Sequence, residues 1–233
     1  MINILLNCYS INQPWGYEPL KKYIVGKRVC VVGFSFRDSV VKDDSGWQEM
    51  YGKNGKYSSL IYSGLSGFGI KKRDITYVNY YKDSIETSKK KIADSTLLFF
   101  PGGLPDRLMD RLRERDLYDS VLNYQGEVIM GASAGAMIQL AEYHITPDSD
   151  YSEYSYCNGF PFIKDFDIEV HYEATRLQKE CIARAIRDKG KPVYAVCNDG
   201  GIIIDNGIVT PFSKVRKYTK PPYVPKRKPK ILE

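Results

Sequence analysis

The sequence predicts an α/β fold of three layers, α/β/α, around a mainly parallel sheet, and three observations carry that reading. Short β-branched or aromatic runs alternate with stretches of helical spacing, the rhythm of βαβ units. Helical stretches separate nearly every pair of these runs, so helices should cover both sheet faces. At 233 residues the chain is long enough for one large domain with a buried core and cramped for two.

The elements follow in order. Ile2–Leu6, Arg28–Val32, Ile75–Tyr80, Thr96–Phe100 and Val128–Met130 are apolar runs of strand length. Between them Tyr17–Val25, Ser45–Phe68, Ile85–Ile92 and Asp106–Leu117 carry helical spacing, clearest where Leu108 and Leu112 share a face away from neighbouring arginines. A helix is expected over Ala136–Glu142, then a loop rich in Tyr, Ser and Asp from Thr146 to Gly159. A strand over Asp167–Val170, a helix over Thr175–Asp188, and strands at Val193–Cys197 and Gly201–Asp205 complete the reading. Asp205-Asn206-Gly207 is a hairpin turn signal, because Asn and Gly tolerate positive φ. Residues 1–217 should form one domain. Residues 218–233, with four prolines and no apolar periodicity, read as a basic tail that is extended or disordered.

Composition narrows the function classes. The 43% hydrophobic and 27% charged residues suit a soluble globular protein. No apolar run approaches the roughly 20 residues that span a bilayer, and Met1–Asn7 lacks the basic flank of a signal peptide. Five cysteines, scattered without a C-x-x-C pair, suggest neither a disulfide framework nor a zinc site, so a reducing cytoplasm is expected. Much of the net charge of +6 lies between Lys214 and Lys230. Nucleic-acid binding by that tail is therefore ranked below a solvated terminus.

The chemistry centres on Gly131-Ala132-Ser133-Ala134-Gly135, a serine between small residues where a strand hands over to a helix. A turn this sharp exposes a strained side chain, and glycine and alanine let neighbouring backbone approach. A helix starting after Ser133 offers unpaired N–H groups to a developing oxyanion. A helix-capping serine in a glycine-rich loop is the competing structural reading. A serine nucleophile needs a base, and there are two histidines. If the helix after Ser133 is continuous, His144 lies roughly 16 Å along it, beyond reach. His171, at the carboxyl end of the Asp167–Val170 strand where open α/β sheets gather their chemistry, is the base candidate. Asp199, at the end of another strand, is preferred as the orienting acid; Asp148 is second choice and Glu173 a third. The Pro101-Gly102-Gly103 turn offers N–H groups to join that of Ala134 in an oxyanion hole, with Gly102 and Gly103 as candidates.

On Gly131–Ala136, the Gly102-Gly103 turn before a leucine-bearing helix, His171 and Thr175-Arg176-Leu177-Gln178-Lys179, the chain resembles the dipeptidase E and cyanophycinase family of serine peptidases between about Ile2 and Val209. The resemblance implies a flavodoxin-like, class I glutamine amidotransferase-like fold. It implies Ser133, His171 and Asp199 as nucleophile, base and acid, although the family's acid is typically glutamate. Arg176 would then grip a substrate carboxylate, since a guanidinium fork matches it. Pro101 and Leu104-Pro105-Asp106 replace a third glycine and an asparagine of dipeptidase E, so a preference for N-terminal aspartate is not implied. The expected function is hydrolysis of small peptides through an acyl-enzyme on Ser133, with no cofactor or metal. The alternative is a catalytically silent member binding a small ligand in the same pocket. Monomer and homodimer remain open.

Overall fold

Short strands that are apolar on both faces are stable only under helices on both sides, and the chain builds that sandwich. In the computed structural model, which describes residues 1–224, the elements run β1 (Ile2–Leu6), α1 (Pro14–Ile24), β2 (Val29–Val32), α2 (Asp44–Tyr51), α3 (Lys56–Ser66), β3 (Ile75–Val78), α4 (Ile85–Ala93), β4 (Leu97–Phe100), α5 (Pro105–Glu114), α6 (Tyr118–Leu122), β5 (Val128–Ala132), α7 (Ala134–Met137), β6 (Glu142–Ile145), β7 (Ser155–Asn158), β8 (Asp167–Glu169), α8 (Arg176–Lys189), β9 (Val193–Asp205) and β10 (Ile208–Tyr218). The main sheet has the order β10-β9-β1-β5-β4-β2-β3, and β8 pairs with β9. From β1 across to β3 every pairing is parallel. The β9–β10 hairpin closes the other side antiparallel to β1. The mainly parallel α/β sheet expected from the sequence is therefore the observed one.

Alternation along the strands makes the layers. Ile4, Val29, Val31, Leu97, Phe99, Val128 and Met130 face Leu20 and Ile24 of α1 and Ile61 and Leu65 of α3. Their neighbours Cys30, Val32, Leu98, Phe100 and Ile129 face Ile92 of α4, Leu108 and Leu112 of α5 and Val121 of α6. Helix α5 has no side-chain cap. Burial holds it instead, because full burial of Leu108 and Leu112 contributes about 2 kcal/mol each, against about 1 kcal/mol for a cap.

Several segments depart from the sequence reading. The helix expected over 45–68 is two helices, broken at Gly52-Lys53-Asn54-Gly55. Strand β3 stops at Val78, where the Asn79 side chain accepts the N–H groups of Tyr81 and Lys82 in a turn. The helix after Ser133 is one turn, Ala134–Met137, and the chain then enters β6. Part of the Tyr-rich loop is β7, the antiparallel partner of β6. The two strands expected at 193–197 and 201–205 are one bulged strand, β9. Its hairpin turn uses Asn206 (φ 50°) and Gly207 (φ 78°) as the sequence signal required. Tyr218, placed in the tail by sequence, ends β10 and bonds Tyr172 through the two hydroxyls at 2.6 Å; residues 225–233 of that tail lie outside the described residues.

Candidate active site

Three apolar strands end side by side and leave three turns at one edge of the sheet: the chain after β1, the glycine turn after β4 and the serine turn after β5. Ser133 sits at φ 51° and ψ −113°, a region costing about 1–3 kcal/mol for a residue with a Cβ. Its N–H donates to Leu6 O at 2.8 Å, which fixes the turn against β1. The flanking glycines have a steric reason: a Cβ on Gly135 would stand 1.9 Å from Phe100 O, and one on Gly131 1.9 Å from Gly135 O. Helix α7 can therefore drop directly onto β4 and β5. The buried Gln139 side chain then donates to Ile4 O and Gly135 O and accepts from Asn3 Nδ2, ending the helix after one turn.

His171 also has a left-handed backbone, φ 51°. Its carbonyl accepts from Gln178 Nε2 at 2.9 Å, and the next residue's N–H donates to Val196 O at 3.0 Å. Gln178 is the fourth residue of Thr175-Arg176-Leu177-Gln178, a capping box in which Thr175 Oγ1 accepts the Gln178 N–H. The start of α8 thus pins the histidine loop. The ring lies between two side chains: Nε2 is 2.8 Å from Ser133 Oγ and Nδ1 is 2.8 Å from Asn198 Oδ1. An amide oxygen only accepts, so Nδ1 carries the proton and Nε2 offers its lone pair to the serine hydroxyl.

Asn198, rather than any of the three carboxylates named from sequence, meets the ring. Between its pairings with Ser213 and Val215, β9 advances from Gly200 to Val196, four steps against two on β10. This bulge holds Cys197, Asn198 and Asp199 out of the regular ladder and re-aims Asn198 at His171. Asn7, just past β1, secures it by donating from Nδ2 to Val196 O and Cys197 O. Asp199 points elsewhere, into an exposed ion pair with Lys214 Nζ at 2.7 Å, which holds its carboxyl below the usual range. Asp148 accepts the N–H groups of Asp150 and Tyr151 in the β6–β7 loop. Glu173 donates its N–H to Gln178 Oε1, and its side chain is exposed. Arg176 pairs with Glu180 at 2.7 Å on the surface of α8.

The oxyanion donors also resolve. Gly102 N–H donates to the Tyr9 hydroxyl at 2.9 Å, so it is engaged. Among the described residues the N–H groups of Gly103 and Ala134 meet no acceptor. Gly103 is at φ 139°, and a Cβ there would stand 2.2 Å from Ser35 O, so only glycine fits. Ser35 clamps this turn, donating from Oγ to Gly102 O at 2.6 Å and accepting Leu104 N–H at 2.8 Å. Buried Arg111 in turn holds the Ser35 loop by donating to Phe34 O and Phe36 O and pairing with Asp38. Sequence reasoning saw Arg111 as one of the arginines of an amphipathic helix and missed Tyr9, Ser35 and Asn198.

His144 is excluded as the base, though not by distance along a helix, since that helix ends at Met137. Its ring is fully buried, with Nδ1 2.6 Å from Asp167 Oδ2 and Nε2 2.7 Å from Glu169 Oε2. Burial opposes its charge, but the two carboxyl groups outweigh it and hold the imidazole pKa up at about 10. A cavity of about 280 Å³ opens between Ser133, His171, the β6–β7 loop and the start of α8. Another, about 300 Å³ and lined by Tyr51, Tyr62 and Tyr77, holds no nucleophile and base pair. Among the described residues no three His, Cys, Asp or Glu side chains are disposed to hold a metal ion, and no helix is long and apolar enough to cross a membrane.

Residues 50–211 match the model of peptidase family S51. The whole fold is similar to that of a protein assigned to peptidase E from Listeria monocytogenes EGD-e, with a TM-score of 0.65 at 16% identity over 90% of this chain and 96% of that one. It is similar also to a peptidase from an acI-B1 actinobacterium, with a TM-score of 0.63 at 17% identity over 94% of each chain. These identities speak to the fold, which is the flavodoxin-like one that the sequence resemblance implied. No curated protein matches the sequence.

Proposed function

The chain belongs to peptidase family S51, and from that premise we propose that it cleaves small peptides through an acyl-enzyme on Ser133. Ser133 Oγ attacks the scissile carbonyl carbon as His171 Nε2 takes the hydroxyl proton, and Asn198 keeps the other ring nitrogen protonated and the ring in line. The negative charge formed on the carbonyl oxygen faces the N–H groups of Gly103 and Ala134. On collapse the C–N bond breaks and His171 returns its proton to the leaving amine. Water, deprotonated by the same nitrogen, then attacks the ester, freeing the acid and Ser133.

The observation carrying this reading is the 2.8 Å Ser133 Oγ to His171 Nε2 contact, with both residues held at positive φ. Two unengaged N–H groups beside the hydroxyl support it. All five cysteines are unpaired, which fits a reducing cytoplasm as the compartment. The test is turnover of a dipeptide library by the wild type and by Ser133→Ala. The expected result is hydrolysis that falls by at least about 10³-fold in the variant while its circular dichroism is unchanged. Turnover persisting in Ser133→Ala, or a wild type that cleaves nothing and binds library members unchanged, would overturn the reading, the latter in favour of a silent ligand-binding member.

A further inference from the structure

The cavity that Ser133 and His171 open onto has a charged wall that the proposed chemistry does not use. Glu169, only 4% exposed, lines it together with His144, Thr146 and Asp148. One carboxyl oxygen of Glu169, Oε2, meets His144 Nε2 and Thr146 Oγ1, both at 2.7 Å. The other, Oε1, accepts no hydrogen bond from any described residue. Because Glu169 lines the cavity, that oxygen is available to a donor entering it.

The charge of this wall can be counted without assigning protons. A histidine with both nitrogens against carboxyl oxygens needs two protons in those two contacts. Whether the second sits on the ring or on a carboxyl group, the set His144, Asp167 and Glu169 carries one net negative charge. Asp148 adds a second at the mouth. Among the residues lining the cavity there is no lysine or arginine, and Arg176 at the start of α8 pairs with Glu180.

We propose that this cavity selects peptides bearing a cationic residue next to the scissile bond, with Glu169 as the specificity-determining group and Asp148 assisting at the rim. An ammonium or guanidinium group would donate to Glu169 Oε1, and an acidic side chain would meet a wall of net negative charge without a lysine or arginine to pair with. The proposal rests on the peptidase reading above.

The test compares kcat/KM for Lys-Leu and Leu-Lys with Asp-Leu and Leu-Asp in wild type, Glu169→Gln and Asp148→Asn, with Ser133→Ala as blank. The expected wild-type result is a preference for lysine over aspartate of at least about tenfold in one of the two positions. That ratio should shrink at least about threefold in each charge-neutralised variant. If Glu169→Gln fails to fold by circular dichroism, the exposed Asp148→Asn variant decides. Turnover that depends on Ser133 but favours aspartate, or is indifferent to charge, overturns this proposal and leaves the peptidase reading standing. Absence of any Ser133-dependent turnover removes both.

Discussion

At Ser133 and His171 the backbone sits at φ 51° twice within one hydrogen-bonded pair, and both positions are held by neighbours rather than by their own preference. Leu6 O holds one, and Gln178 and Val196 hold the other. Asn198 is the residue whose role this geometry makes most open to measurement. As a positioning residue it fixes the ring's tautomer but brings no charge to the imidazolium that forms during catalysis. Asn198→Ala is expected to lower kcat by about tenfold to a hundredfold with a smaller change in KM. Asn198→Asp, which places a carboxylate beside the charged ring, should move the acid limb of the pH–rate profile upward by about one unit. An acid limb that stays put in Asn198→Asp, or a kcat untouched in Asn198→Ala, would show that Asn198 does not steer the base.

Among the elements, strands β1 to β5 and α8 were legible in the sequence because their signals are local: apolar runs such as Leu97–Phe100, and the cap Thr175 with Gln178. The short α7 was not, since its end is imposed by Gln139 reaching Asn3 and Ile4 of β1, far away in sequence. The bulge in β9 was hidden for the same reason, and with it the exchange of Asp199 for Asn198, because period-two alternation assumes a regular ladder. Strands β6 and β8 carry the buried His144, Asp167 and Glu169, and this cluster ties the two together. His144→Ala would leave two carboxyl groups without their shared partner and is expected to cost about 3–5 kcal/mol in a denaturant melt. The sign with pH follows from the imidazole pKa being raised from 6.5 to about 10. Its contribution is complete below pH 6.5 and is lost as pH rises through about 10. Wild type should therefore lose stability across that window more steeply than a His144→Gln variant; parallel pH profiles would show that the ring is not charged in the folded state.

For the molecule as a whole, the sheet supplies the function by bringing strand ends together. Three parallel strands deliver Tyr9, Gly103 and Ser133, while the β8–β9 pair delivers His171 and Asn198 to the same edge. The sequence showed Ser133, Ala134, Gly103 and His171 as candidates because each follows a recognisable strand. It did not show the charge of the neighbouring cavity, which depends on His144, Asp167 and Glu169 meeting from separate strands. The account stands on Ser133 being an activated nucleophile, and covalent labelling reads that directly. Wild type treated with a fluorophosphonate is expected to gain one adduct mass, mapped by peptide mass spectrometry to Ser133, with the rate of labelling greatly reduced in His171→Ala. An unmodified protein, or an adduct on another residue, would contradict it.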